Sequence, residues 1–144
     1  MGGLFTKDRI LRILSTLFLI ICAVIALQFI TKPKIKNATK SVDKILISSG
    51  IKAANVTKEE SLEAIISSIN KSSLKKFPSD SDIKFDNNNI NCQFLSGTKE
   101  VMYITLLNNP DYPYVVIING KNYTITKPNP EFNSAVKKFL YSNY

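Results

Sequence analysis

The sequence predicts an α+β protein: an N-terminal transmembrane helix, then a small domain with one or two helices, a four- to five-stranded antiparallel meander and a C-terminal helix. Three observations predict it. Ile13–Thr31 carries no charged residue and is dominated by Ile, Leu, Phe, Val and Ala. Behind capping signals at Thr57 and Asn129, apolar residues recur at helical spacing. Between these two stretches, from Asp82 to Thr126, the apolar period falls to two.

The apolar run, at about 1.5 Å per residue, spans roughly 28 Å, close to the ~30 Å hydrocarbon core of a bilayer. It exceeds a typical signal-peptide core. The chain therefore divides into a basic tail (1–12), a transmembrane signal-anchor (13–31), a basic stem with a short helix (32–56) and a small α+β domain (57–144). In the stem, Pro33 interrupts the lysines, Ala38, Val42, Ile45 and Leu46 follow helical spacing, and Gly50 supplies a stop. Thr57 with Glu60 reads as a capping box. The helix it opens carries Leu62, Ile65, Ile66 and Ile69 on one stripe and extends through Lys71–Lys76 to Pro78.

Strands follow. Ile83 and Phe85 alternate with polar residues, as do Ile90, Cys92 and Phe94, around the turn-forming Asp86-Asn87-Asn88-Asn89. Val101–Leu107 is apolar on both faces, as a central strand should be. Asn119-Gly120 joins Tyr114–Ile118 to Lys121–Thr126 as a two-residue hairpin, because both residues tolerate the positive φ of a type I′ turn. That register sets Val116 opposite Tyr123. Asn129 then caps a helix with Pro130 in its first turn and Phe132, Ala135, Val136, Phe139 and Leu140 on its apolar stripe.

The membrane segment admits two other readings. Cleavage after Ala26, behind the small residues Val24 and Ala26, would release a secreted binding module, with Phe29 and Ile30 near its exposed start. Gly3-Leu4 with Asp8 five positions beyond resembles the leader of type IV prepilins, which implies loss of Met1–Gly3 and a pilin-like subunit polymerising through the apolar helix. Lys7, Arg9 and Arg12, and Asp in place of Glu, depart from that pattern. Met1–Thr6 also fits the loose N-myristoylation pattern at Gly2. As to orientation, lysines after the run outnumber the basic residues before it, which favours a cytoplasmic domain. The short basic tail before a first apolar segment favours the domain outside the cytoplasm, and we adopt the latter.

The formal charge is +8; after Thr31, sixteen lysines against ten carboxylates leave +6. Lys32, Lys34, Lys36 and Lys40 are candidate contacts to an anionic surface, lipid heads or wall polymers. Interleaved aromatics and Arg are missing there, which argues against nucleic acid.

Catalytic equipment is scarce. The chain has no His, which removes the commonest general base and metal ligand. Cys22 and Cys92 form neither a disulfide framework nor a zinc spacing. Asp80-Ser81-Asp82 and Asp86–Asn89 lack the glycine and distal Glu of a calcium loop, and no motif singles out a Ser–Lys pair. The expectation is a non-enzymatic protein without cofactor or metal, a protein-binding subunit or accessory factor of a membrane-associated assembly in a cell or virion membrane. Its partners would be other membrane or cell-surface proteins, met through Tyr112, Tyr114, Tyr141 and Tyr144.

Overall fold

The computed structural model describes residues 6–30, 32–78 and 85–142, with all their side chains but those of 28–30. The expected leader Met1–Gly3, the strand position Ile83, the pair Asp80 and Asp82, and Tyr144 lie outside the described residues. The chain forms two compact units, Met1–Lys32 and Pro33–Tyr144.

In the first unit, α1 (Lys7–Ile30) is a helix of 24 residues, about 36 Å long. Its described side chains are exposed throughout, among them Leu11, Phe18, Leu19 and Leu27. The two hydroxyls are satisfied within the helix: Ser15 and Thr16 both donate to the carbonyl of Arg12, at 3.0 and 2.8 Å. Polar side chains bonded this way suit an apolar surrounding. α1 is long and apolar enough to cross a membrane.

The second unit is α+β, with seven strands where the periodicity predicts four or five. After α2 (Ile35–Ala38) come β1 (Lys44–Ser49), β2 (Lys52–Val56), α3 (Glu59–Asn70), β3 (Leu74–Lys76), β4 (Ile90–Ser96), β5 (Lys99–Leu106), β6 (Tyr114–Ile118), β7 (Lys121–Ile125) and α4 (Pro130–Tyr141). The strands form one antiparallel sheet in the order β2-β1-β4-β5-β6-β7-β3.

Two predicted helical stretches are strands. The helix expected over Ala38–Leu46 stops at Ala38, where the Thr39 hydroxyl donates to Asn70 Oδ1 (2.9 Å) and lies 3.1 Å from the Ile35 carbonyl. Gly50, expected as a helix stop, instead takes φ +58° in the two-residue turn between β1 and β2, as a type II′ hairpin requires. Likewise α3 ends at Asn70, and Leu74–Lys76 pairs with β7. The expected capping box is also absent: Lys58 holds the cap position with no side-chain bond, and Glu59 and Glu60 in the first turn offset the helix dipole.

Other expectations are met. β5 is the middle strand of the seven. Asn119 and Gly120 have φ of 52° and 73°, and Val116 pairs with Tyr123. Asp86 opens a turn in which its carboxylate accepts from the Asn88 N–H and its carbonyl from the Asn89 N–H. Both carboxylate oxygens of Asp43 accept from the Gly97 N–H at 3.1 Å, which fixes the β4–β5 turn at the start of β1.

The registers align Ile47, Cys92, Ile104, Val116 and Tyr123 in one row across five strands, all buried. This apolar face joins Leu62, Ile65 and Ile69 of α3 and Phe132, Val136 and Leu140 of α4 in a single core. α4 lies on β1 and β2 and packs against α3.

Asn129 locks that layer. Its Oδ1 accepts from the Phe132 N–H (3.0 Å), and its Nδ2 donates to the Ser68 carbonyl (2.9 Å) and to Ser72 Oγ (2.7 Å). Its own N–H donates to the Tyr114 hydroxyl (3.0 Å), which in turn donates to Asn133 Oδ1 (2.7 Å). Asn129→Ala removes a cap and strands a buried carbonyl, so we expect a loss of about 2–4 kcal/mol in denaturant unfolding of the full chain. Asn129→Asp keeps the cap and should lose roughly half as much.

Candidate interaction surface

The four tyrosines named from the sequence have different fates. Tyr114 is 1% exposed, and its hydroxyl is engaged in the Asn129 network; it is a core residue, unavailable to a partner. Tyr112 is half-buried, its ring 5.2 Å from that of Phe77. Tyr141 is 47% exposed, with the Lys52 ammonium 4.6 Å above its ring.

Tyr141 has company that sequence reasoning missed. Among the described residues of Pro33–Tyr144, the exposed large apolar side chains are Ile51 (100%), Phe85 (63%) and Tyr141. All three belong to neighbouring segments at one end of the sheet. Ser49 Oγ, beside the Gly50-Ile51 turn, donates to the Asn88 carbonyl (3.0 Å), tying that turn to the loop after Phe85. Asp86, Asn88 and Tyr141 line one depression, and Lys52 reaches Tyr141 from the first position of β2. At the other end of the sheet the unit begins: Pro33 and Lys34 lie by Lys99, Glu100 and the Asn119 turn. The apolar cluster thus marks the end of the sheet away from the point where the chain enters. Ile51 reads in sequence as one apolar residue after a stop; only the turn at Gly50 turns it into a tip.

The lysines are exposed at Lys32, Lys34, Lys36 and Lys40. Lys36 and Lys40 share a groove of about 600 Å³ with Asp43, Glu59 and Glu63, over a floor of Val42, Leu62 and Ile66. Its rim carries both signs of charge.

The sheet face away from α4 holds a depression of about 370 Å³ lined by Leu46, Ser48, Asn91, Gln93 and Tyr103 among others. Its polar groups are largely taken: Gln93 Nε2 donates to Glu100 Oε2 (2.6 Å) and Thr105 Oγ1 to Asn91 Oδ1 (3.0 Å). Burial, with the Glu100 carboxylate nearby, pushes the Tyr103 phenol up, so it stays a neutral donor.

Cys92 sits in the core row, and burial pushes its thiol far up, which keeps the thiolate nucleophile out of reach. An unfolded thiol titrates near ~8.5. The stabilisation from keeping it protonated is complete below that value and is lost as pH rises above it, because the unfolded chain then releases a proton the folded chain retains. Unfolding free energy should fall by up to ~1.4 kcal/mol per pH unit from this site above pH ~8.5. Denaturant titrations between pH 7 and about 10 should show Cys92→Ala less stable at pH 7 but with a shallower decline.

No protein-family model matches this chain, and no curated protein and no solved structure matches it either.

Proposed function

We propose that this chain is a single-pass, membrane-anchored, non-enzymatic protein-binding subunit or accessory factor of a membrane-associated assembly, with its domain outside the cytoplasm. The observation that carries the reading is the separation of two kinds of exposed apolar surface. α1 exposes apolar side chains around its whole described circumference, as a helix solvated by lipid does. Among the described residues of the domain, the large apolar side chains are buried or half-buried except for Ile51, Phe85 and Tyr141 at one end. An aromatic and aliphatic cluster of that kind is the usual anchor of a protein interface.

Enzymatic alternatives have little to draw on. The chain lacks His throughout, and its one domain cysteine is buried and protonated. The short basic tail Lys7, Arg9 and Arg12 supports insertion with the domain translocated.

Native mass spectrometry of the full chain, purified from its native membranes in mild detergent, tests the reading. We expect the intact chain travelling with other subunits, and we expect Ile51→Asp with Tyr141→Asp to lose those companions while the far-UV spectrum stays native. A chain starting at Leu4 or Leu27, or one without companions, would overturn it.

A further inference from the structure

The two edges of the sheet are built differently. β3 closes one side with three residues, two of them the exposed Lys75 and Lys76, and Pro78 follows close behind. Short length, lysine and proline are the devices that keep an edge from pairing. β2 closes the other side with five residues, Lys52-Ala53-Ala54-Asn55-Val56, and has none of these along its middle. Its single charge, Lys52, sits at the first position with its ammonium over Tyr141.

The register fixes which backbone groups that edge presents. Ser49 and Lys52 close a two-residue turn and so form a hydrogen-bonded pair. Alternation along the ladder directs the groups of Ala54 and Val56 to β1 and those of Ala53 and Asn55 outward. Ala53 and Asn55 are exposed, and among the described residues no strand pairs with the outer side of β2.

We infer that the open edge of β2 pairs antiparallel with β2 of a second copy of this chain, around a two-fold axis at Ala54. The strand is its own complement in that register. Ala54 meets Ala54 of the second copy, Ala53 meets Asn55, and Lys52 meets Val56, so no like charges oppose and the centre holds only small side chains. The outward N–H and C=O groups of Ala53 and Asn55 supply the pairing bonds on both sides. The result is one sheet continuous through two domains, an isologous contact. Two five-residue strands bury little area, so the contact is weak in dilute solution and gains from confinement of the copies in one membrane. The confinement rests on the membrane reading above; the edge geometry does not.

Disulfide capture in lipid vesicles tests the pairing. The full chain carries Cys22→Ser, with Cys92 left in the core, and either Ala54→Cys or, at the opposite edge, Lys75→Cys. Residues facing each other across a non-hydrogen-bonded antiparallel pair stand about 4.5 Å apart at Cα, within disulfide reach. We expect mild oxidation to give a reducible dimer with Ala54→Cys and little with Lys75→Cys. Adding Ala53→Lys and Asn55→Lys, at exposed positions that would then oppose each other, should abolish the dimer while circular dichroism stays native. No Ala54→Cys dimer from a natively folded chain, equal capture at Lys75→Cys, or capture of a different polypeptide in native membranes would each overturn the proposal. Flotation of the same vesicles reports the membrane reading separately, since a chain that fails to float refutes the anchor and not the edge.

Discussion

Three groups would each go short of a partner in an apolar layer: the first turn of α4, the last turn of α3, and the oxygen of the Tyr114 hydroxyl beneath them, whose proton goes to Asn133. Asn129 answers all three, as acceptor for the Phe132 N–H, donor to the Ser68 carbonyl, and backbone donor to the tyrosine. A buried hydrogen-bonding group left unpaired costs more than a made bond contributes, so the arrangement is specified as much by what it avoids as by what it forms. Because Asn129 begins α4, the helix that lies on β1 and β2, its bonds set how the last element meets the first strands. The exposed Lys71–Glu131 pair (2.9 Å) adds little to that join beyond guiding it, since surface ion pairs are worth about 0–1 kcal/mol.

How legible the fold is depends on the range of the signal. The β6–β7 hairpin and the α4 cap can be read directly because Asn119-Gly120 and Asn129-Pro130 act within a turn or two of themselves. β1 cannot be read so easily. Ala38, Val42 and Leu46 are spaced by four, and four is a multiple of two as well as close to a helical turn, so the same residues fit both periods. What selects the strand is a neighbour 49 residues on, the Phe94 facing Ile45. β3 has only three residues, too few for any period, and exists because β7 offers it a ladder.

The candidate surface was less legible than the fold. A tyrosine's letter does not say whether its ring caps a core or meets a partner: Tyr114 and Tyr141 lie on opposite sides of that division. Ile51 and Phe85 look like ordinary core residues in sequence, and only the placement of the Gly50 turn beside the Asp86 turn gathers them at one end. The lysines near α2 read as one basic run, yet Lys36 and Lys40 share their groove with three carboxylates brought in by the β1 approach and α3.

The strand order also governs when the domain can form. β3 waits for β7, some forty-five residues later, and the row through β1 and β2 remains uncovered until α4 exists. Nothing early in the chain completes a layer by itself. During synthesis, therefore, the β1–β2 hairpin goes without its cover until α4 has emerged. Such dependence on distant pairings makes folding slow and exposes strand edges meanwhile. Under the membrane-anchored reading proposed above this would be an advantage, because a segment that cannot fold prematurely is one that can still be moved.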